Sequence, residues 1–218
     1  MVNLKQKIEK FNRQGYIHLK NVIPPLLLAH TRYRAIELKN KYKKFEGQPR
    51  ENGSGMFWKG LEMASTLDKE LFDSYTAPFM YDIAKSFLQT EPYLFNDQVV
   101  VKLPKEPFKF GIHYDNQYGP DSIGASEGKF KTINCSWILT NMPKETGPLY
   151  CQNQQLAEWE LLPAKAGDIV IIDGQTPHSS KENTTDKIRA LYACVYSSHP
   201  IGNFQKGFYN EKFSKREH

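Results

Sequence analysis

Beyond Pro92 the sequence breaks into short β-prone runs with turn residues at nearly every junction, and this punctuation limits what the chain can become. The runs are Tyr93–Leu103, Lys109–His113, Thr132–Leu139, Gly147–Cys151, Trp159–Leu162, Asp168–Ile172 and Ile188–Tyr196. Pro104–Pro107, Gly119–Gly128, Lys144–Gly147 and Pro163–Gly167 separate them. A strand this short buries too little surface alone, so several at such intervals predict two packed sheets, a sandwich or barrel.

The first ninety residues have another rhythm. Leu4, Ile8 and Phe11 fall on one face of a short helix that Gly15 ends, and Gly15–Leu19 alternates like a strand. Pro24 and Pro25 can open a second helix running toward Lys44, with Leu28, Tyr33, Ile36 and Leu38 on its apolar face. Glu46–Gly55 reads as an exposed loop, and two more helices are expected around Asp68–Tyr75 and Phe79–Leu88. The expected fold is therefore mainly β with N-terminal helices. A helical layer over residues 1–91 packs on a double-sheet jelly roll over 92–198, followed by a tail over 199–218. No long linker divides them, which predicts one domain over 1–218.

Composition narrows the class of partner. With 39% hydrophobic and 13% aromatic residues the chain is globular rather than disordered. A net charge of +5 is mild, and its basic residues are scattered apart from clusters at Lys39–Lys44 and Lys212–Arg216. Nucleic acid would call for a concentrated basic face, whereas an anionic small molecule needs only a mild bias. Cys135, Cys151 and Cys194 are an odd set without CxxC spacing, which argues against a disulfide framework or zinc site, and Cys135 and Cys194 lie in apolar runs that predict buried free thiols in a reducing compartment. Met1–Phe11 is polar, and no window approaches the roughly 18 apolar residues of a membrane span, so a cytoplasmic protein is expected, monomeric or dimeric.

His113-Tyr114-Asp115 closes one β-run, where residues two apart share a face. His178 follows the run Asp168–Gly174, whose Asp173 is expected to orient the turn. Two histidines and a carboxylate on one side of a metal, leaving the opposite positions open, suit non-haem Fe(II) oxygenases. Arg189 lies eleven residues after His178, and its planar fork fits a carboxylate. Ser180 can share the face of His178 and donate to the same anion. Gln98 and Lys102 share a face of Tyr93–Leu103, where burial would be costly without a partner. His18, His30, His199 and His218 read as ordinary surface or loop residues.

These motifs resemble the phytanoyl-CoA dioxygenase family of Fe(II)/2-oxoglutarate oxygenases. Phe11-Asn-Arg-Gln-Gly15-Tyr-Ile-His-Leu-Lys-Asn-Val-Ile23 is similar to that family's opening helix, strand and turn. Asp97-Gln98 through Lys102-Leu-Pro104, then His113-Tyr-Asp115, resembles its first metal-binding strand pair. Gly167-Asp168 through His178-Ser-Ser180, then Arg189, resembles its second, with Gly147-Pro148-Leu149 standing between as the family's turn. The likeness runs over roughly residues 8 to 198.

The resemblance implies a cupin-like double-stranded β-helix. It also implies oxidative decarboxylation of 2-oxoglutarate to succinate and CO₂ with O₂, coupled to hydroxylation of a substrate. It makes His113, Asp115 and His178 the Fe(II) ligands. Arg189, Ser180, Lys102, Gln98 and Trp137 become co-substrate contacts. Asp115 argues against the halogenating branch. Tyr150-Cys-Gln-Asn-Gln-Gln155 stands where the family often has Pro-Gly-Ser-His, which points away from acyl-CoA. The expected substrate is an amino acid, a sugar or a secondary metabolite. Hydroxylation of protein or nucleic-acid side chains and a non-catalytic binding module are the competing expectations. Asn116–Phe130 is expected to act as a lid, with Tyr114, Asn116, Gln117 or Tyr118 reaching the substrate.

Overall fold

The structure is a computed structural model that describes residues 4–41, 60–117 and 127–200. The expected loop at Glu46–Gly55, the centre of the expected lid with Tyr118, and the tail beyond Pro200 lie outside the described residues. Among the described residues four helices, α1 (Leu4–Gln14), α2 (Pro25–Lys41), α3 (Lys69–Tyr75) and α4 (Pro78–Leu88), join ten strands. Local chemistry sets their ends. Asp68 caps α3 by accepting from the Leu71 N–H at 3.0 Å, and Pro78 occupies the first turn of α4, where a missing N–H costs nothing.

The strands are β1 (Tyr16–Leu19), β2 (Gly60–Glu62), β3 (Tyr93–Lys102), β4 (Phe110–His113), β5 (Thr132–Ile138), β6 (Leu149–Gln152), β7 (Trp159–Leu162), β8 (Ile169–Asp173), β9 (His178–Ser180) and β10 (Arg189–Ser197). They form a six-stranded sheet, β1-β8-β5-β10-β3-β2, and a four-stranded sheet, β4-β9-β6-β7, with antiparallel pairing throughout. This is the expected jelly roll. β2 and β9 are additions to the expected strands, each only three residues long and thus too short to show a period.

The six-stranded sheet is covered on both faces, which is why β5 and β10 are buried from end to end. Its outer face packs on the helices through Val99, Val101, Cys135, Trp137, Tyr192 and their neighbours. Its inner face meets the small sheet through Val100, Ile138, Leu149, Cys151, Leu191 and Ala193. Polar ties fix the helical layer. Asp97 accepts from the Ser65 N–H at 2.8 Å, the Ser65 hydroxyl at 2.6 Å and the Tyr192 hydroxyl at 2.9 Å. The Tyr75 hydroxyl donates to the carbonyls of Asn96 and Val195 beside the bulge at Val195/Tyr196, where the ladder slips.

Tyr33 departs from expectation. It is 63% exposed, and α2 instead buries Thr31, Ala35 and Leu38. The Thr31 hydroxyl is bonded to the Leu27 carbonyl and to Ser74 of α3, which makes that polar position an inward one. His18 is also no free surface residue, since its Nε2 lies 2.8 Å from Asp168. Among the described residues no helix is long and apolar enough to cross a membrane.

Candidate metal centre and cleft

The ladder between β4 and β9 pairs His113 with His178 directly, with a bulge between Phe110 and His113. The two imidazole centroids lie 4.1 Å apart. His113 Nδ1 is 2.9 Å from the Gly111 carbonyl, and His178 Nδ1 is 3.0 Å from the Thr176 carbonyl. A carbonyl can only accept, so each Nδ1 carries the proton and Nε2 is the nitrogen whose lone pair can serve a metal. Burial first, and then the neighbouring His178, lower the His113 pKa to about 4 against the opposing pull of Asp115. That ring is neutral at physiological pH, the state a metal requires.

Asp115 reaches the same point by a different route from the one expected. β4 ends at His113, and Asp115 begins a 3-10 turn, Asp115–Gln117, so the two residues do not share a strand face. The turn is pinned from outside. The Asn116 N–H donates to the Gly174 carbonyl at 3.1 Å, and the Thr132 hydroxyl donates to the Asn116 side chain. A Cβ at Gly174 would sit 1.9 Å from Thr132 Oγ1 and 2.1 Å from Asn116 Oδ1, so only glycine permits this approach. Asp115 Oδ1 then lies 3.6 Å from His178 Nε2. One ligand atom from each of His113, Asp115 and His178 falls within 4.8 Å of the others. Two imidazoles and an acidic side chain, with the cleft open on the remaining side, fit a ferrous ion.

The cleft runs between the sheets and encloses roughly 400 Å³, its open mouth included. The strand register lays out rows across the six-stranded sheet, of which Gln98, Val100, Ser136, Arg189, Leu191 and Ala193 line the cleft. Gln98, Ala193 and Ser136 form one row, Val100, Leu191 and Ile138 the next, and Lys102 with Arg189 the last. Arg189 is 1% exposed, and its Nε and Nη1 have no hydrogen-bond partner among the described residues. Burial lowers its pKa to about 9, still well above neutrality, so the guanidinium stays cationic. A buried cation left without an anion is costly, and this one borders the cleft.

Ser180 and Gln98 also line the cleft. Lys102 does not. It stands behind Ser180, donating to its Oγ at 2.8 Å and to the Lys181 carbonyl, and reaches the cleft through that hydroxyl. Gln98 Nε2 is buried without a partner among the described residues, against Gly60 of β2, where a Cβ would lie 2.2 Å from it.

Trp137 is the expected contact that the structure removes. It is fully buried on the outer face of β5, its ring 5.4 Å from that of Phe79 on α4 and 6.4 Å from that of Tyr192. Strand parity is the reason, because odd residues of β5 face the helices while Asn134 and Ser136 face the cleft. Asn134 was not anticipated, yet its Nδ2 donates to Asp115 Oδ2 at 2.9 Å. Asp173 accepts from the Gln175 N–H at 2.9 Å and so shapes the turn before His178. Of the expected lid contacts, Tyr114 is exposed and Asn116 is buried in its bond to Thr132.

Residues 11–191 match the family model for phytanoyl-CoA dioxygenase (PhyH). The chain belongs to the PhyH family. A curated relative, dioxygenase af480 of Aspergillus fumigatus, is 31% identical over 146 residues, 61% of this chain and 46% of that protein. This PhyH-family chain thus spans less than half the length of the curated relative it matches. Among solved structures it is similar to SnoN, a non-heme alpha ketoglutarate dependent epimerase from nogalamycin biosynthesis. That likeness has a TM-score of 0.74 at 20% identity, over 88% of this chain and 81% of SnoN. SnoN has also been solved in complex with Fe³⁺, alpha ketoglutarate and nogalamycin RO. AviO1 from Streptomyces viridochromogenes Tue57 gives a TM-score of 0.74 at 18% identity, over 92% of this chain and 98% of AviO1. At these identities the structural likeness establishes the PhyH chain's fold.

Proposed function

We propose that this PhyH-family chain is a non-haem Fe(II)/2-oxoglutarate-dependent oxygenase that oxidises a small molecule, acting as one domain. The supporting observation is a single cleft that joins three converging metal-ligand atoms to a buried guanidinium with two unpartnered nitrogens. His113, Asp115 and His178 hold the metal. Arg189 and the Ser180 hydroxyl, the latter already accepting from Lys102, bind the far carboxylate of the keto acid. Val100 and Leu191 cover its methylene carbons and keep water away. Gln98 offers Nε2 to an oxygen of the ligand nearer the metal. Bound Fe(II) supplies open positions for the keto acid and O₂, coupling decarboxylation to substrate oxidation. The three buried, unpaired thiols suit a reducing compartment.

Anaerobic titration of the full chain with Fe(II) and then 2-oxoglutarate tests this reading through the visible charge-transfer band of the ternary complex. Wild type is expected to develop the band, and Arg189→Ala to need roughly 10- to 100-fold more 2-oxoglutarate for the same intensity while still binding metal. A folded wild type that shows no band would exclude the oxygenase reading. An unchanged 2-oxoglutarate requirement in Arg189→Ala would withdraw that residue's role.

A further inference from the structure

Of the three candidate ligands, Asp115 is the one that regular structure does not hold. Both histidines sit in the β4–β9 ladder and are oriented through Nδ1 by backbone carbonyls. Asp115 lies past the end of β4, in the 3-10 turn whose backbone is pinned through Asn116 and Gly174. Those backbone bonds leave open which carboxylate oxygen faces the histidines.

On β5, Asn134 is 6% exposed and Ser136 is 1% exposed, and both face the cleft. The Ser136 hydroxyl donates to Asn134 Oδ1 at 3.0 Å, and Asn134 Nδ2 donates to Asp115 Oδ2 at 2.9 Å. The order of donors fixes the amide. A carboxylate accepts only, so Nδ2 must face Asp115, and Oδ1 is then the atom left to receive the serine proton.

We infer that Ser136 and Asn134 are positioning residues that hold Asp115 as a one-oxygen ligand. Oδ2 is occupied by Asn134, and Oδ1, the atom 3.6 Å from His178 Nε2, is left for the metal. The inference rests on the metal reading above. It assigns the chain Ser136–Asn134–Asp115 the task of keeping open the position that a two-oxygen carboxylate would close. Outer hydrogen bonds of this kind change metal affinity by about 10- to 100-fold when removed.

The test titrates the apo full-length chain with Co(II) alone, reading the dissociation constant and the d–d absorption spectrum, beside apo melting curves. Asn134→Ala is expected to bind Co(II) roughly 10- to 100-fold more weakly with an altered spectrum. Ser136→Ala should shift both in the same direction by less, and Ser136→Thr, which keeps the hydroxyl, should restore them. A purely structural role would lower melting without moving the spectrum of the folded fraction. Wild-type affinity and spectrum in Asn134→Ala would overturn the inference while leaving the metal reading intact. Should that variant fail to fold, an unchanged Ser136→Ala would overturn it equally. Wild type that takes up no Co(II) would sink the clamp and the metal reading together.

Discussion

Lys102 governs how charge is managed behind Ser180 and beside Arg189. Burial lowers its pKa to about 6, Arg189 adds to the lowering, and Glu106 and Glu182 oppose it. In the free protein at neutral pH its amine is therefore mostly uncharged beside the guanidinium. A dicarboxylate bound next to Ser180 favours the ammonium form, so the pKa in the complex lies higher and binding takes up a proton. Affinity for 2-oxoglutarate should be greatest below about pH 6 and should decline as pH rises through the interval between the two pKa values. Calorimetry of binding across that range checks the sign, and Lys102→Met should lose the slope. A flat wild-type profile would count against the linkage. Much of this site could be read from residue types alone: His113, Asp115, His178, Arg189 and Ser180 come in an order that few other chemistries need. Asn134 was not readable in that way, because its role is a contact made across nineteen positions of chain. A signal did exist nevertheless. In Thr132-Ile-Asn-Cys-Ser-Trp-Ile138 the polar residues occupy even positions, which marks that parity as the cleft side and places Trp137 on the other.

At the level of elements, Trp137 ties β5 to α4 through Phe79 and to β10 through Tyr192. Trp137→Ala should cost about 3–5 kcal/mol of stability, measured by denaturant unfolding, since the cavity would lie in a fully buried layer. The 2-oxoglutarate requirement of the folded fraction should not change, and a large rise would return Trp137 to the cleft. Long elements were visible in the sequence because period and punctuation agreed: α3, α4, β3, β5 and β10 fall within a few residues of their expected limits. The placement of Asp115 was not. β4 stops at His113 as expected, but its ladder bulges between Phe110 and His113 and a 3-10 turn carries Asp115, and neither leaves a periodic trace in four residues.

Across the whole molecule, Asp97 joins the helical layer to the large sheet, and it does so at a pH-dependent cost. It is fully buried, and burial raises its pKa to about 6 despite three donors from Ser65 and Tyr192. Its unfolded value is about 3.9, so the folded state holds the proton more tightly. That contribution to stability is complete below about pH 4 and is lost as pH rises through 6, a change of about 3 kcal/mol. Unfolding free energies across this range should fall less steeply in Asp97→Asn than in wild type, and parallel slopes would refute the account. The layers themselves have a further consequence. The candidate metal ligands belong to β4, β9 and the turn beyond β4 in the small sheet, whereas Arg189 and Lys102 belong to the large one. A keto acid seated between them would act as a rivet through both leaves of the sandwich, making the chain's resistance to opening depend on the supply of a common metabolite.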